Sequence, residues 1–153
     1  MHNIDVLNFL NLLFVGLLAG FEIAVHYGIG SPPKSLREDA QILLRQAMVL
    51  RLRILAPAIF LPSLILGISA TIRERHEPGF WERGIGLGSL LLWIVIRIVR
   101  TVPVNSATLE WNAEAPPANW RELVTGTERF HVIAAWAAVI AFVCFLASTP
   151  QYR

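Results

Sequence analysis

Four apolar runs dominate this sequence and leave few folds open to it. They extend from Val6 to Val25, from Ile54 to Ile72 between Arg53 and Arg73, from Gly84 to Val104, and from Val132 to Ser148. Crossing the hydrocarbon core of a bilayer takes about 20 mostly apolar residues in a helix. In lipid the backbone must satisfy its own hydrogen bonds, so runs of this kind become helices. The expected fold is therefore all-α: one integral membrane four-helix bundle over residues 1–153, with spans near 6–26, 54–72, 84–104 and 131–148. Composition agrees, since 16% of residues are charged where a soluble domain carries roughly 25%.

The opening MHNID lacks a basic n-region, so the first run reads as a retained helix and not a cleaved leader. The single cysteine, Cys144, lies in an apolar run and reads as packing. Net charge is +2 and the basic residues flank apolar segments, which points to lipid headgroups and argues against nucleic acid as a partner.

The connections differ in character. Pro32 and Pro33 suit the start of a helix, and Leu36, Ala40, Leu43 and Ala47 then recur at helical spacing. An interfacial helix running into the second span is expected there. Phe80 and Trp81 in RERHEPGFWER read as interface anchors. A long loop carrying Trp111, Trp120 and Pro116-Pro117 is expected before the fourth span, where it can fold over one mouth of the bundle. Nine Lys and Arg residues (Lys34, Arg37, Arg45, Arg51, Arg53, Arg97, Arg100, Arg121, Arg129) fall on one side and four (Arg73, Arg75, Arg83, Arg153) on the other. The positive-inside rule then puts both termini on the non-cytoplasmic side, in a bacterial inner membrane.

Polar groups at membrane depth are costly and usually face the bundle interior. Asn8, Asn11, Glu22 and His26 lie along one face of the first helix. The asparagines read as helix-to-helix hydrogen bonds. Gly16 with Gly20, and Gly84 with Gly88, form small-xxx-small pairs suited to close packing, and Pro57 and Pro62 bend the second span. Arg97 and Arg100 share a face near the end of the third, where Arg97 can pair with Glu22 or bind an anionic oxygen. With four spans, the first helix leaves the membrane on the side where the fourth begins, so Glu22, His26, Glu128 and His131 are expected at one mouth. Two histidines with carboxylates suit iron or copper. The same groups suit proton transfer without a metal. P-loop, Rossmann, G-x-S-x-G and H-E-x-x-H motifs are absent.

Three segments, LLAGFEIAVHYG, VPVNSATLEWN and APPANWRELVTGTERFH, resemble the anthrone oxygenase-like membrane proteins over almost the whole chain. That resemblance implies a four-helix membrane fold and oxidation of anthrones to anthraquinones by molecular oxygen. The matching positions are Asn105, Trp120, Arg129 and His131. Members often carry Arg a turn after the histidine and Trp a few residues before it, where this chain has Ala134, Ala135, Gly126 and Thr127. The resulting expectation is a membrane oxygenase or oxidoreductase acting on a lipophilic anthrone- or quinol-like compound. His131, Glu22 and Asn105 are its catalytic groups. Arg97, Trp111, Trp120 and Arg129 contact substrate, and Glu22, His26, Glu128 and His131 are the ligands if a metal takes part. The competing reading is a non-catalytic membrane subunit that binds a small molecule or a partner helix. A bundle this small also exposes enough surface for self-association.

Overall fold

The computed structural model describes residues 6–29 and 35–149. Helix α1 spans Val6–Ile23 and continues as a π-helix over Ala24–Ile29. Helix α2 spans Glu38–Arg73, α3 spans Phe80–Ile96, a second π segment covers Arg97–Thr101, α4 spans Val102–Glu110, and α5 spans Trp120–Ser148. Four helical rods, Val6–Ile29, Glu38–Arg73, Phe80–Glu110 and Trp120–Ser148, are long and apolar enough to cross a membrane. The chain thus fits an integral multi-pass protein with an all-α four-helix bundle. The proposed helix start at Pro32 and Pro33, and the charges of Lys34 and Arg153, lie outside the described residues.

The rods overshoot the bilayer on one side. At 1.5 Å per residue α2 is about 54 Å long, against a hydrocarbon core of about 30 Å. The interfacial helix is therefore the first part of α2 itself. Its packed face carries Gln41, Ile42 and Val49, while Leu36 and Leu43 of the expected stripe stay exposed. The long loop expected before the fourth span shrinks to residues 111–119. Pro103 sits in the first turn of α4, where its missing N–H is no loss; between α4 and α5 it is Pro116-Pro117 that stands in the break. Pro57 and Pro62 likewise stay inside a continuous α2.

Two cores result. The larger joins Val15, Leu18, Phe60, Leu90, Trp93 and Phe145 with the alanine face of α5 (Ala134, Ala137, Ala138, Ala141). Lipid supplies no hydrophobic drive for helices to associate, so close van der Waals fit has to hold them. Gly67 and Gly86 make the socket for Phe145, and a Cβ on Gly67 would stand 2.9 Å from its ring. Gly16 packs on Phe142, whereas Gly20, Gly84 and Gly88 face open space. The working glycines are thus those opposite bulky rings and not the pairs picked out by spacing. The smaller core, Ile42 with Trp120 and Val124, lies at the end where the rods overshoot, with Trp111 and Ala113 against it.

The opposite end is tied by charge. Arg83, 1% exposed, pairs with Glu74 and donates to the Ser148 carbonyl at 3.0 Å. Asn8 donates to the same carboxylate at 2.7 Å, which is the helix-to-helix role read from the sequence. Gly79 turns the chain between α2 and α3 at φ 98°, with any Cβ 2.9 Å from the Ser148 oxygen. A left-handed non-glycine residue costs roughly 1–2 kcal/mol before any clash. Gly79→Ala is expected to lose at least that much, read as a lowered denaturation midpoint in detergent. An unchanged midpoint would show that this turn does not hold the end of α5.

Candidate functional site

The site lies between the two cores. Around the bundle α1 packs on α2 and α5, and α5 on α3, while α2 and α3 close on each other least. That loose seam opens a cavity of about 510 Å³ lined by Phe60, Leu61, Trp93, Ile98, Val102 and other mostly apolar side chains. Leu61, Ile98 and Val102 are exposed on the bundle surface, so the cavity opens where lipid would stand. Inside, Phe60 stacks on Trp93 with centroids 4.6 Å apart and planes 22° apart. A second cavity of about 330 Å³ lies toward the overshooting helix ends, lined by His26, Arg45, Thr127 and Glu128 among others. His131, Asn105, Val25, Val49 and Leu52 line both.

At the junction stands a buried charge pair. Arg97 pairs with both carboxylate oxygens of Glu22; the side chains are 12% and 1% exposed. The same guanidinium donates through its other terminal nitrogen to His131 Nδ1 at 3.1 Å and lies over the Trp93 ring at 5.3 Å. An arginine has no acceptor. His131 Nδ1 must therefore be the accepting nitrogen, which makes the ring neutral and leaves the proton on Nε2. The pairing of Arg97 with Glu22 follows from placing both at one depth, which the sequence already allowed.

Helix winding shapes the same region. The π segments Ala24–Ile29 and Arg97–Thr101 begin just past Glu22 and at Arg97 itself. Such segments concentrate at functional sites, because the wider turn leaves backbone groups and side chains off the regular lattice. One consequence is that His26, one turn beyond Glu22, is not held with it. Glu22 is buried among the helices, and His26 is half-exposed in the smaller cavity, edge-on to Tyr27. Along the larger cavity, Trp93, Arg97 and Thr101 follow at four-residue steps. Trp93 Nε1, Arg97 Nε and Thr101 Oγ1 are buried with no protein partner among the described residues.

Arg45 organises the other wall. It donates to Asn105 Oδ1 at 3.3 Å and to Thr108 Oγ1 at 3.4 Å. Next to it Gln46 donates to the carbonyls of Thr108 and Trp111, each at 2.9 Å, which ties α2 to the end of α4. In the sequence Arg45 counts only among the cations of the first connection. Apolar neighbours on both sides, Leu43-Leu44 before it and Ala47-Met48-Val49 after Gln46, are the signal the sequence holds.

The remaining predicted residues fall elsewhere. Trp120 is buried in the smaller core with its indole donating to Glu38, and Trp111 packs beside it. Their aromatic faces build the fold that closes the mouth and line neither junction cavity. Arg129 is on the outside, over the Phe130 ring at 4.9 Å, with Arg100 at the same distance from that ring. Glu128 reaches the smaller cavity only. Among the described residues no three of His, Cys, Asp and Glu stand together as a metal would need. Both Glu22 oxygens and His131 Nδ1 are taken by a permanent cation. As arranged, these donors suit a charge pair and do not suit a metal ion. No family model, curated protein or solved structure matches this chain.

Proposed function

We propose that this chain is a membrane oxidoreductase acting on a lipophilic aromatic compound of the anthrone or quinol type, with molecular oxygen as oxidant. The observation that carries the reading is an apolar, aromatic-walled cavity of about 510 Å³ ending on the buried Glu22–Arg97–His131 array. A flat aromatic ketone fits beside the Phe60–Trp93 stack and reaches it from lipid without passing through water.

The chemistry asks little beyond this. An anthrone has a methylene made acidic by its ring carbonyl. Breaking that C–H bond sends the proton to water in the smaller cavity and leaves an enolate. The enolate gives its electrons to oxygen, a C–O bond forms, and loss of water completes the quinone: anthrone plus oxygen gives anthraquinone plus water. The protein's part is to hold the substrate, lower the cost of the enolate and keep the reacting carbon out of bulk water.

The test is anthrone turnover by the detergent-purified protein, followed by anthraquinone absorbance and oxygen uptake against empty micelles. Removing one donor to a developing oxyanion typically costs about 10²–10³ in rate, and His131→Ala is expected in that range. A His131→Ala/Glu22→Gln double variant that still turns over at the wild-type rate would sink the reading.

A further inference from the structure

We infer that the junction of the two cavities is a binding site for a single aromatic oxyanion, made by His131 Nε2–H and the Asn105 amide NH2 and set in that polarity by two arginines. The inference deepens the proposed function by naming the atoms that take the substrate oxygen.

The argument starts from a property of arginine: it only donates. Imidazole and carboxamide can each offer a donor or an acceptor, and a neighbour decides which. Arg97 occupies the acceptor of His131, Nδ1, at 3.1 Å. Arg45 occupies the acceptor of Asn105, Oδ1, at 3.3 Å. His131 is left with only its N–H for a ligand, while Asn105 is left with its NH2 and one lone pair, the Oδ1 side being turned toward Arg45. Both residues line both cavities, so their free donors belong to the same junction. Farther along the wall, Trp93 Nε1–H and Arg97 Nε–H are also buried donors without an acceptor among the described residues. Thr101 Oγ1, a hydroxyl that can also accept, is the other such group on this wall, so N–H donors predominate there without being alone.

A wall of that kind selects by charge and by atom type. It accepts a phenolate, an enolate or a strongly polarised carbonyl. An amine or cation would bring more donors to a place already holding Arg45, Arg97 and, at the rim, Arg53. Glu22 neutralises Arg97 directly, and Glu128 faces Arg45 across the smaller cavity. The junction is therefore not flooded with positive charge; its preference comes from placed hydrogen bonds, the more so where lipid and apolar side chains keep water away. Arg45 lines the smaller cavity and not the larger, aromatic-walled one that takes the ring. It is a positioning residue, acting through Asn105.

The probe is 4-nitro-1-naphthol, whose phenolate absorbs at much longer wavelength than the phenol, with 1-nitronaphthalene as the partner lacking the hydroxyl. Bound to the wild-type protein in detergent, the naphthol should ionise at a pH at least about one unit lower than in empty micelles, a tenfold preference for the anion. Asn105→Leu and His131→Phe should each weaken naphtholate binding about tenfold or more, the usual worth of a charge-assisted hydrogen bond. Both should leave 1-nitronaphthalene within about twofold, because its uncharged nitro oxygens are weak acceptors and draw little on either donor. Asn105→Asp keeps the shape and puts an acceptor where a donor stood, so it should exclude the naphtholate most. Arg45→Met should weaken the naphtholate, and Arg45→Lys should restore it. A bound naphthol that ionises as in micelles overturns the inference. So does naphtholate affinity that survives Asn105→Asp in a protein with wild-type elution and melting. Naphtholate binding without anthrone turnover would keep this site and remove the reaction; turnover indifferent to Asn105 would do the reverse.

Discussion

Arg97→Met is expected to be the most damaging single substitution in this protein, costing roughly 3–5 kcal/mol, the usual penalty for removing one partner of a buried ion pair. Glu22 is 1% exposed, and among the described residues the side chain holding its oxygens is Arg97 alone. Without the guanidinium, a carboxylate is left among apolar helices, or must take up a proton to stay. The converse expectation is sharper. Glu22→Leu/Arg97→Met together should fold about as well as the parent, since a buried pair replaced by apolar residues of similar size is often neutral or stabilising. The check is a double-mutant cycle of denaturation midpoints in detergent, with a large favourable coupling between the two sites. If Arg97→Met alone melts like the parent, Glu22 is not a buried partner and the site is misread. If the double variant is stable yet turns over no anthrone, the pair is retained for chemistry at the cost of an easier fold, which is the pattern expected of a functional site.

How this pair could be anticipated shows what the sequence carries. The four apolar runs specify four spanning helices, because span length and the need for internal hydrogen bonding leave little else. From four spans, simple counting of directions puts Glu22, Arg97 and His131 at one end. Pairing was harder to see. Glu22 and His26 are four residues apart and look like one face, yet the chain changes from α to π winding just after Glu22 and sends them to different places. No residue type announces that change. Trp120, a position singled out by the family resemblance, has a structural reason of its own to be there: the rods overshoot the bilayer far enough to need a second core, and Trp120 fills it. Arg45 was hidden by the same overshoot. A cation just outside an expected span reads as a headgroup contact; in a continuous α2 it faces Asn105 instead.

The second large effect is expected at the far end of the bundle, and it should separate stability from function. Arg83→Met removes the guanidinium that pairs with Glu74 and caps the Ser148 carbonyl. The cost should be about 3 kcal/mol, the lower end of the range for a broken buried pair. It should fall below that of Arg97→Met because Glu74 keeps Asn8 at 2.7 Å and Arg73 at 3.7 Å, whereas Glu22 keeps no comparable partner among the described residues. Fourteen residues of helix separate Arg83 from Arg97, about 21 Å at 1.5 Å per residue, with the whole larger core between them. The fraction of Arg83→Met that remains folded should therefore bind 4-nitro-1-naphthol as the parent does, at a lowered melting midpoint. Weak naphthol binding in that folded fraction would mean that the α2–α3 seam is set from the Glu74–Arg83 end, so that the cavity depends on the whole bundle and not on its own walls. Unchanged binding with reduced stability would assign the two buried pairs opposite duties, one tying the ends of α2, α3 and α5 and the other serving the cavity.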